Sequence, residues 1–353
     1  MSEDIKKIRQ KIDSLDNDIL DLFNQRAHQA VLIAKEKNKS KELDNFYNPE
    51  REAQVIRRIQ ELNKGPLSNE SVLKLFREVM SACLSLEAPL KVSYLGPEGT
   101  YTQLAAKNHF GSSILSVPHL SVEEVFSSVE KRDSHYGVVP VENSTQGIVA
   151  STLDMFMKSS LKISGEIEIL INHNVLSNSK SLDSIEKIYA HPQSFSQCKN
   201  WLEKNLPKCE KINSLSNAEA ALIASKEKNS GAIASSVAAD IYKLDILSEN
   251  IEDNHNNSTR FLVIGERDTD PSGNDKTSII VSTKNDSGAL YSLLEPLSKH
   301  NVSMTRIESR PSKHNNKLDN INKNRNFSST SFILIHYNTV FMFFIYTQNI
   351  LII

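Results

Sequence analysis

Ile5, Ile8, Ile12, Leu15, Ile19 and Leu22 alternate steps of three and four residues, the spacing of a coiled-coil-like helical seam. No breaker interrupts the pattern until about Asn38, which predicts a helix roughly 50 Å long at about 1.5 Å per residue. So long a helix, with so little helical chain after it to cover it, is expected to need a partner. Asn48 and Pro49 then mark the cap and first turn of a second helix in "YNPEREAQVIRRIQEL". A third follows in "LSNESVLKLFREVMSACLSLE", with Val72, Leu75, Phe76, Val79, Cys83 and Leu86 expected inward. Near residues 88–90 the period changes. Short apolar runs such as "HYGVVPV", "KIYA", "GAIAS" and "FLVIG" alternate with helical stretches up to about Arg267, an α/β pattern. A small strand–helix–strand module starts in "TSIIVSTKNDSGALYSLLEPLSKHNVSMTRIESRP". The expected organisation is therefore an all-helical segment over 1–90, an α/β segment over 91–268, the module over 276–312 and a tail over 313–353.

Composition narrows the function classes. The 353 residues are too many for one typical core, and a net charge of −2 without a basic block argues against duplex nucleic acid as a partner. Cys83, Cys198 and Cys209 fit neither a disulfide framework nor a metal site. With no apolar core in "MSEDIKKIRQ" to make a signal peptide, the cytoplasm is the expected compartment.

The helical seam next reaches Arg26, where a cation is costly unless an anion meets it. Lys37, eleven residues on, shares its stripe, so two long cations can converge on a small dianion. Arg9 lies too far along the helix to join them, but a symmetry-related chain can supply it. Geometry alone also fits three solvated or salt-bridged cations, and favours that reading. The strings "IRQKIDSLDNDILDLFNQRAHQAVLIAKEK" and "YNPEREAQVI", however, resemble the all-helical chorismate mutase family from about Asp4 to Glu87. The resemblance implies three helices in an intertwined dimer formed through the N-terminal helix, with one arginine of each site borrowed from the partner. It places Arg9, Arg26, Lys37, Arg51, Glu52 and Glu87 in the site, with Asn48 at a position usually Asp and Cys83 at one that is Ser in some relatives. Lys37 and Glu87 would flank the ether oxygen whose bond breaks as chorismate becomes prephenate. Glu87 must carry a proton to donate there. Such a rearrangement needs positioning and charge, not covalent catalysis.

In the α/β segment, "YLGPEGTYTQ" has the outline of a turn presenting backbone N–H groups to an anion at a helix start. It has neither the Gly-Lys-Ser/Thr ending of a phosphate loop nor G-x-G-x-x-G, so a carboxylate is the expected anion. "VVPVENSTQG" (138–147), "AHPQSFSQC" (190–198) and "NNSTRFLVIG" (256–265) each place polar residues at the end of an apolar run, where α/β clefts bind ligands. As an ordered set the four stretches resemble prephenate dehydratase. That family's implied fold is two α/β lobes closing on a cleft, and its implied essential residue is Thr259, with Arg260 and Phe261 beside it. Gly99, Thr100, Asn143 and Gln197 are the expected substrate binders, supported by Glu142, His173, Gln193 and Glu219. His173 and His191 are expected to be structural. No cofactor or metal is expected, since His and Cys show no ligand spacing.

"NDSGALYSLLEPLSKHNVSMTRIESRP" resembles the start of an ACT regulatory module, which in fused enzymes of this type senses phenylalanine. The implied regulatory residues are Gly288, Ala289, Leu290, Glu308, Ser309, Arg310 and Pro311. The resemblance ends near Ser312, short of a full module of four strands and two helices, so phenylalanine binding is expected to be weak or lost. The tail is Asn/Lys-rich, then free of Asp, Glu, Lys and Arg from Phe327 to Ile353. An out-of-frame or altered gene end is the expected reading. Its rivals are a membrane-spanning tail and a divergent fold. The whole reads as a bifunctional mutase–dehydratase of phenylalanine biosynthesis, with chorismate and prephenate as its small-molecule partners. The competing readings are a catalytically silent amino-acid sensor, an enzyme inactivated by truncation, and a mutase–dehydrogenase, which lacks its dinucleotide loop.

Overall fold

The computed structural model describes residues 3–40, 47–272, 275–283, 287–311 and 339–347. These divide into two compact units, Met1–Asp268 and Thr269–Ile353.

The first unit opens with α1 (Glu3–Ser40), α2 (Pro49–Leu62) and α3 (Asn69–Ser85). Asn48 caps α2, its Oδ1 accepting the Arg51 N–H at 2.7 Å, and Pro49 occupies the first turn. Ser68 caps α3 in the same way. Ala30 and Ala34 are buried toward the α3 side of α1, while the seam from Ile5 to Leu22 is solvent-exposed in the single chain. On α3 the buried positions are Ser81 and Cys83, whereas Leu75 and Leu86, expected inward, are 60% and 55% exposed. Ser81 instead packs on Gly111 of the neighbouring lobe, and its Oγ accepts the Ser113 N–H at 3.3 Å. Gly111 has φ +80°, and a Cβ there would sit 2.3 Å from the Ser81 Cβ, so only glycine allows this approach.

The α/β part follows as β1 (Lys91–Leu95), α4 (Tyr101–Phe110), β2 (Leu115–His119), α5 (Val122–Glu130), β3 (Tyr136–Asn143), β4 (Gly147–Ile148), α6 (Ala150–Phe156) and β5 (Lys162–Leu170). The chain crosses to a second lobe of β6 (Asn174–Ser177), β7 (Lys187–Ala190), α7 (Pro192–Gln197), α8 (Lys199–Asn205), β8 (Glu210–Asn213), α9 (Asn217–Ala224), β9 (Ser230–Ala234), α10 (Ser236–Tyr242) and β10 (Asp245–Ser248). It then returns as β11 (Ser258–Gly265). The first sheet has the order β2-β1-β3-β11-β5, with β4 on β3, and the second β10-β6-β9-β7-β8. Both mix parallel and antiparallel pairs, because β11 inserts antiparallel between β3 and β5, and β6 lies antiparallel to β9. The core under the first sheet gathers Val92, Tyr94, Ala105, Phe110, Val138, Phe261 and Val263.

Two crossovers, residues 171–173 and 249–257, join the lobes and bond to one another. Ile171 N donates to Asn257 O, Ile251 N to His173 O, and His173 N to Glu252 Oε2, each at 2.8 Å.

The second unit contains β12 (Asp275–Thr283), α11 (Ala289–Lys299), β13 (Met304–Pro311) and β14 (Thr339–Thr347). Among the described residues its sheet has three antiparallel strands in the order β12-β14-β13, and Leu293, Leu294 and Leu297 of α11 pack toward Val281. This corrects the expected irregular tail. "TVFMFFIYT" is rich in β-branched and aromatic residues, and it occupies the gap between two strands whose edges would otherwise lack partners. Residues 312–338 and 348–353 of that tail lie outside the described residues. Among the described residues no helix is long and apolar enough to cross a membrane.

Candidate active sites

In the helical segment, the structure brings together two residues that lie fifty positions apart. Lys37 Nζ is 3.4 Å from Glu87 Oε2, with the carboxylate largely shielded from water. Arg9, Arg26 and Arg51 project from exposed positions of α1 and α2. Cys83 is buried on α3, and Asn48 acts as a helix cap. Glu52 is pushed up to about 7, chiefly by burial, with the Tyr47 hydrogen bond and then Arg77 opposing the shift. Tyr47 reaches into the core of the first α/β lobe. It packs edge-on against Phe110 and Tyr136, and its hydroxyl lies 3.3 Å from His109 Nε2. Burial first, then Arg77, pushes His109 down to about 4.

In the α/β part, antiparallel register sets Thr259 of β11 opposite Asn143 at the end of β3. Asn143 Nδ2 donates to Thr259 Oγ1 at 2.8 Å, while Asn143 Oδ1 accepts the backbone N–H groups of Thr145 and Gln146 at 3.0 and 3.1 Å. Those two backbone donors fix which way the amide points. One oxygen lone pair of the threonine is thereby occupied, which leaves its hydroxyl hydrogen to donate elsewhere.

Neighbours in the Thr-Arg-Phe trio do different work. Side chains alternate along a strand, so Arg260 faces away from Thr259 and is gripped by two carboxylates, Glu142 at 2.7 Å and Glu166 at 2.8 Å. Phe261 is buried in the lobe core. Both were expected against substrate; here they brace the strand that carries Thr259.

The Gly-Pro-Glu-Gly-Thr turn is held by bonds of its own. Gly99, at φ +85°, donates its N–H to Gln103 Oε1 at 2.7 Å, and Thr100 caps α4. The Gly99 N–H and the Thr100 side chain thus bond within the protein. The turn docks on the second lobe, with Ser235 Oγ donating to Gly99 O and Tyr242 OH to Glu98 O, both at 3.0 Å. A Cβ on Gly99 would lie 3.3 Å from Ala238 and Tyr242 side-chain atoms.

A chorismate mutase type II family model matches residues 8–88 and a prephenate dehydratase model residues 92–269. A bifunctional chorismate mutase/prephenate dehydratase of Pseudomonas aeruginosa is 49% identical over 315 residues, covering 88% of this chain and 86% of that protein. The chain belongs to the bifunctional chorismate mutase/prephenate dehydratase family. The bifunctional chorismate mutase/prephenate dehydratase of Aquifex aeolicus is 46% identical, covering 88% of this chain and 86% of that protein. The crystal structure of prephenate dehydratase in complex with L-Phe from Arthrobacter aurescens shares the fold, with a TM-score of 0.62, 24% identity, and coverage of 73% of this chain and 81% of that one.

Within this bifunctional family member, His173 and His191 each have partners inside the protein. His173 is almost fully buried, which lowers its basicity, and its Nε2 donates to Gln197 Oε1 at 2.8 Å. His191 caps α7 through Nδ1. Glu219 closes a capping box with Ser216 on α9, its carboxylate accepting the Leu215 N–H. The sequence reading passed over Tyr47, Ser144, Thr145, Glu252 and Asn257. The polar runs in "VVPVENSTQG" and "NNSTRFLVIG" carry Ser144, Thr145 and Asn257, while nothing local pointed to Tyr47 or Glu252.

Proposed function

We propose that the helical segment rearranges chorismate to prephenate and that the α/β lobes convert prephenate to phenylpyruvate, so that one chain carries two successive steps of phenylalanine biosynthesis. The observation that carries the second half is the Asn143–Thr259 hydrogen bond. Because Oγ1 accepts from Asn143, the threonine hydroxyl is oriented to donate to the hydroxyl that leaves the prephenate ring. The ring carboxylate departs as CO₂, its bonding pair enters the ring, and the leaving hydroxyl takes a proton to become water. Prephenate and one proton thus give phenylpyruvate, CO₂ and water, with aromatisation as the driving force. Arg260 and Phe261 position the strand, and Gln197 serves as a substrate binder supported by His173.

For the mutase, Lys37 and Glu87 stand as the pair that flanks the ether oxygen, and Arg26 and Arg51 hold carboxylates. The exposed apolar seam of α1, with Ile8 at 60% and Leu22 at 62%, supports an intertwined homodimer in which the partner's helix covers that face and brings its own Arg9. We place the enzyme in the cytoplasm. The C-terminal unit we read as a reduced ACT-like regulatory module: among the described residues it has three strands and one helix. Gly288, Ala289 and Leu290 open α11, while Glu308, Ser309, Arg310 and Pro311 lie at the end of β13. Incubating the purified protein with chorismate, and following prephenate and phenylpyruvate separately, tests the proposal. Both products are expected in succession, and turnover of neither would refute it.

A further inference from the structure

Asn257 immediately precedes β11 and is 2% exposed. Its Oδ1 accepts from three side chains of the turn after β3: Asn143 Nδ2 at 3.2 Å, Ser144 Oγ at 3.1 Å and Thr145 Oγ1 at 3.2 Å. The two hydroxyls can donate or accept, but the Asn143 Nδ2 can only donate, so rotating the Asn257 amide would set two NH₂ groups against each other and the observed orientation is the one the network allows. The Nδ2 that results is buried and has no hydrogen-bond partner among the described residues. Leaving a buried donor unpaired is costly, and beside a reactive residue a ligand is one source of the acceptor it lacks; Arg77 Nε and Tyr94 OH share the unpaired state away from Thr259. Gln197 repeats the arrangement. Its Oε1 is held by His173 Nε2, and its Nε2 is likewise buried without a partner.

We propose that Asn257 is a further substrate-contacting residue of the dehydratase site, its Nδ2 donating to a carboxylate of prephenate while Thr259 addresses the departing hydroxyl. The inference rests on the reading of Thr259 given above. Position supports it: Oδ1 of the same amide touches the Asn143 nitrogen that bonds Thr259 Oγ1, so Nδ2 lies within the span of one six-membered ring and its substituents. Chemistry supports it as well. The ring carboxylate must shed its charge as CO₂ in the transition state, so a cation bound to it would stabilise the ground state more than the transition state. A neutral amide donor orients the carboxylate without that penalty. Arg260, the cation nearest in sequence, is turned to Glu142 and Glu166. The same residue therefore has two functions, with Oδ1 holding Asn143 against Thr259 and Nδ2 binding substrate.

Asn257→Asp separates the two functions. A carboxylate still accepts from Ser144 and Thr145 but cannot donate, and it repels a dianion. We expect the KM for prephenate to rise roughly ten- to a hundredfold, with recovery as pH falls and the new acid regains its proton. Asn257→Ser, with a shorter donor, should raise KM less than Asn257→Asp. Mutase turnover by the same full-length variants reports that the chain is folded. If Asn257→Asp keeps the wild-type KM at every pH, or loses only kcat with KM unchanged, the substrate contact is wrong. Should Asn257→Asp fail to fold, an unchanged KM in Asn257→Ser overturns it equally. Thr259→Ala is run beside them: full dehydratase activity in that variant would mean that the site reading has failed, not the assignment of Asn257 alone.

Discussion

Asn143 can donate to Thr259 only because its own carbonyl is occupied by two backbone N–H groups. Thr259→Ala is therefore expected to lower phenylpyruvate formation about 10²- to 10⁴-fold, the usual scale of a lost proton donor. Prephenate should still accumulate from chorismate, and Thr259→Ser should keep much of the activity; separate product assays check both. Glu52 makes a different residue-scale prediction. Burial raises its carboxyl from 4.5 to about 7, so between these values the native chain holds a proton that the unfolded chain has released. The stability this gives is fully present below about pH 4.5 and is lost as pH rises through 7. Thermal unfolding across that window should show Tm declining in the wild type more steeply than in Glu52→Gln. Parallel profiles would remove Glu52 as the cause.

At the scale of elements, α1 is a helix built for company. Its 38 residues present an apolar seam that the single chain does not cover, while Ala30 and Ala34 are small where α3 approaches. If a second α1 covers the seam and exchanges arginines, Arg9→Ala and Arg26→Ala should each abolish mutase activity as homodimers. Mixed dimers should regain one of two sites, the one combining wild-type Arg9 from one chain with wild-type Arg26 from the other. No recovery after confirmed subunit exchange would exclude the shared site. The antiparallel entry of β11 between β3 and β5 does comparable work in the lobes. It carries Thr259 to Asn143 and Arg260 to Glu142 in a single register.

For the whole molecule, Tyr47 ties the two catalytic parts of the first unit. Its ring belongs to the core of the first lobe, its hydroxyl lies 3.3 Å from His109 Nε2, and it lowers the titration of Glu52 in the helical segment. Tyr47→Phe keeps the ring but removes the bond, at an expected cost of roughly 1–3 kcal/mol for a buried group left unsatisfied. It should also move the Glu52 titration upward, because the Tyr47 hydrogen bond lowers it. Denaturant melts at several pH values would detect both changes, and wild-type behaviour would deny Tyr47 this role. In the second unit, an effector can act only by binding one conformation better than another. A module of three described strands and one helix is expected to bind phenylalanine weakly and to leave dehydratase turnover unchanged. Saturable binding by calorimetry with matching inhibition would reverse that expectation.

Local patterns were readable from the residues themselves. The seam of α1, the Asn48–Pro49 start of α2, the capping residues and the alternation of the α/β segment all depend on neighbours within a turn or two. The four ordered motifs grouped Thr259 with Asn143, 116 positions away, and the register brings the two side chains into contact. What the sequence left open was the partner of each polar group. The Gly99 N–H turned to Gln103, Arg260 turned to two glutamates, Asn257 gathered the 143–145 turn, Tyr47 entered the neighbouring core and β14 filled the gap between β12 and β13. These outcomes rest on strand register and on which face of an element meets which neighbour. Both are decided by the packing of distant segments: a shift of one residue would reverse every side chain on a strand while leaving its local pattern unchanged.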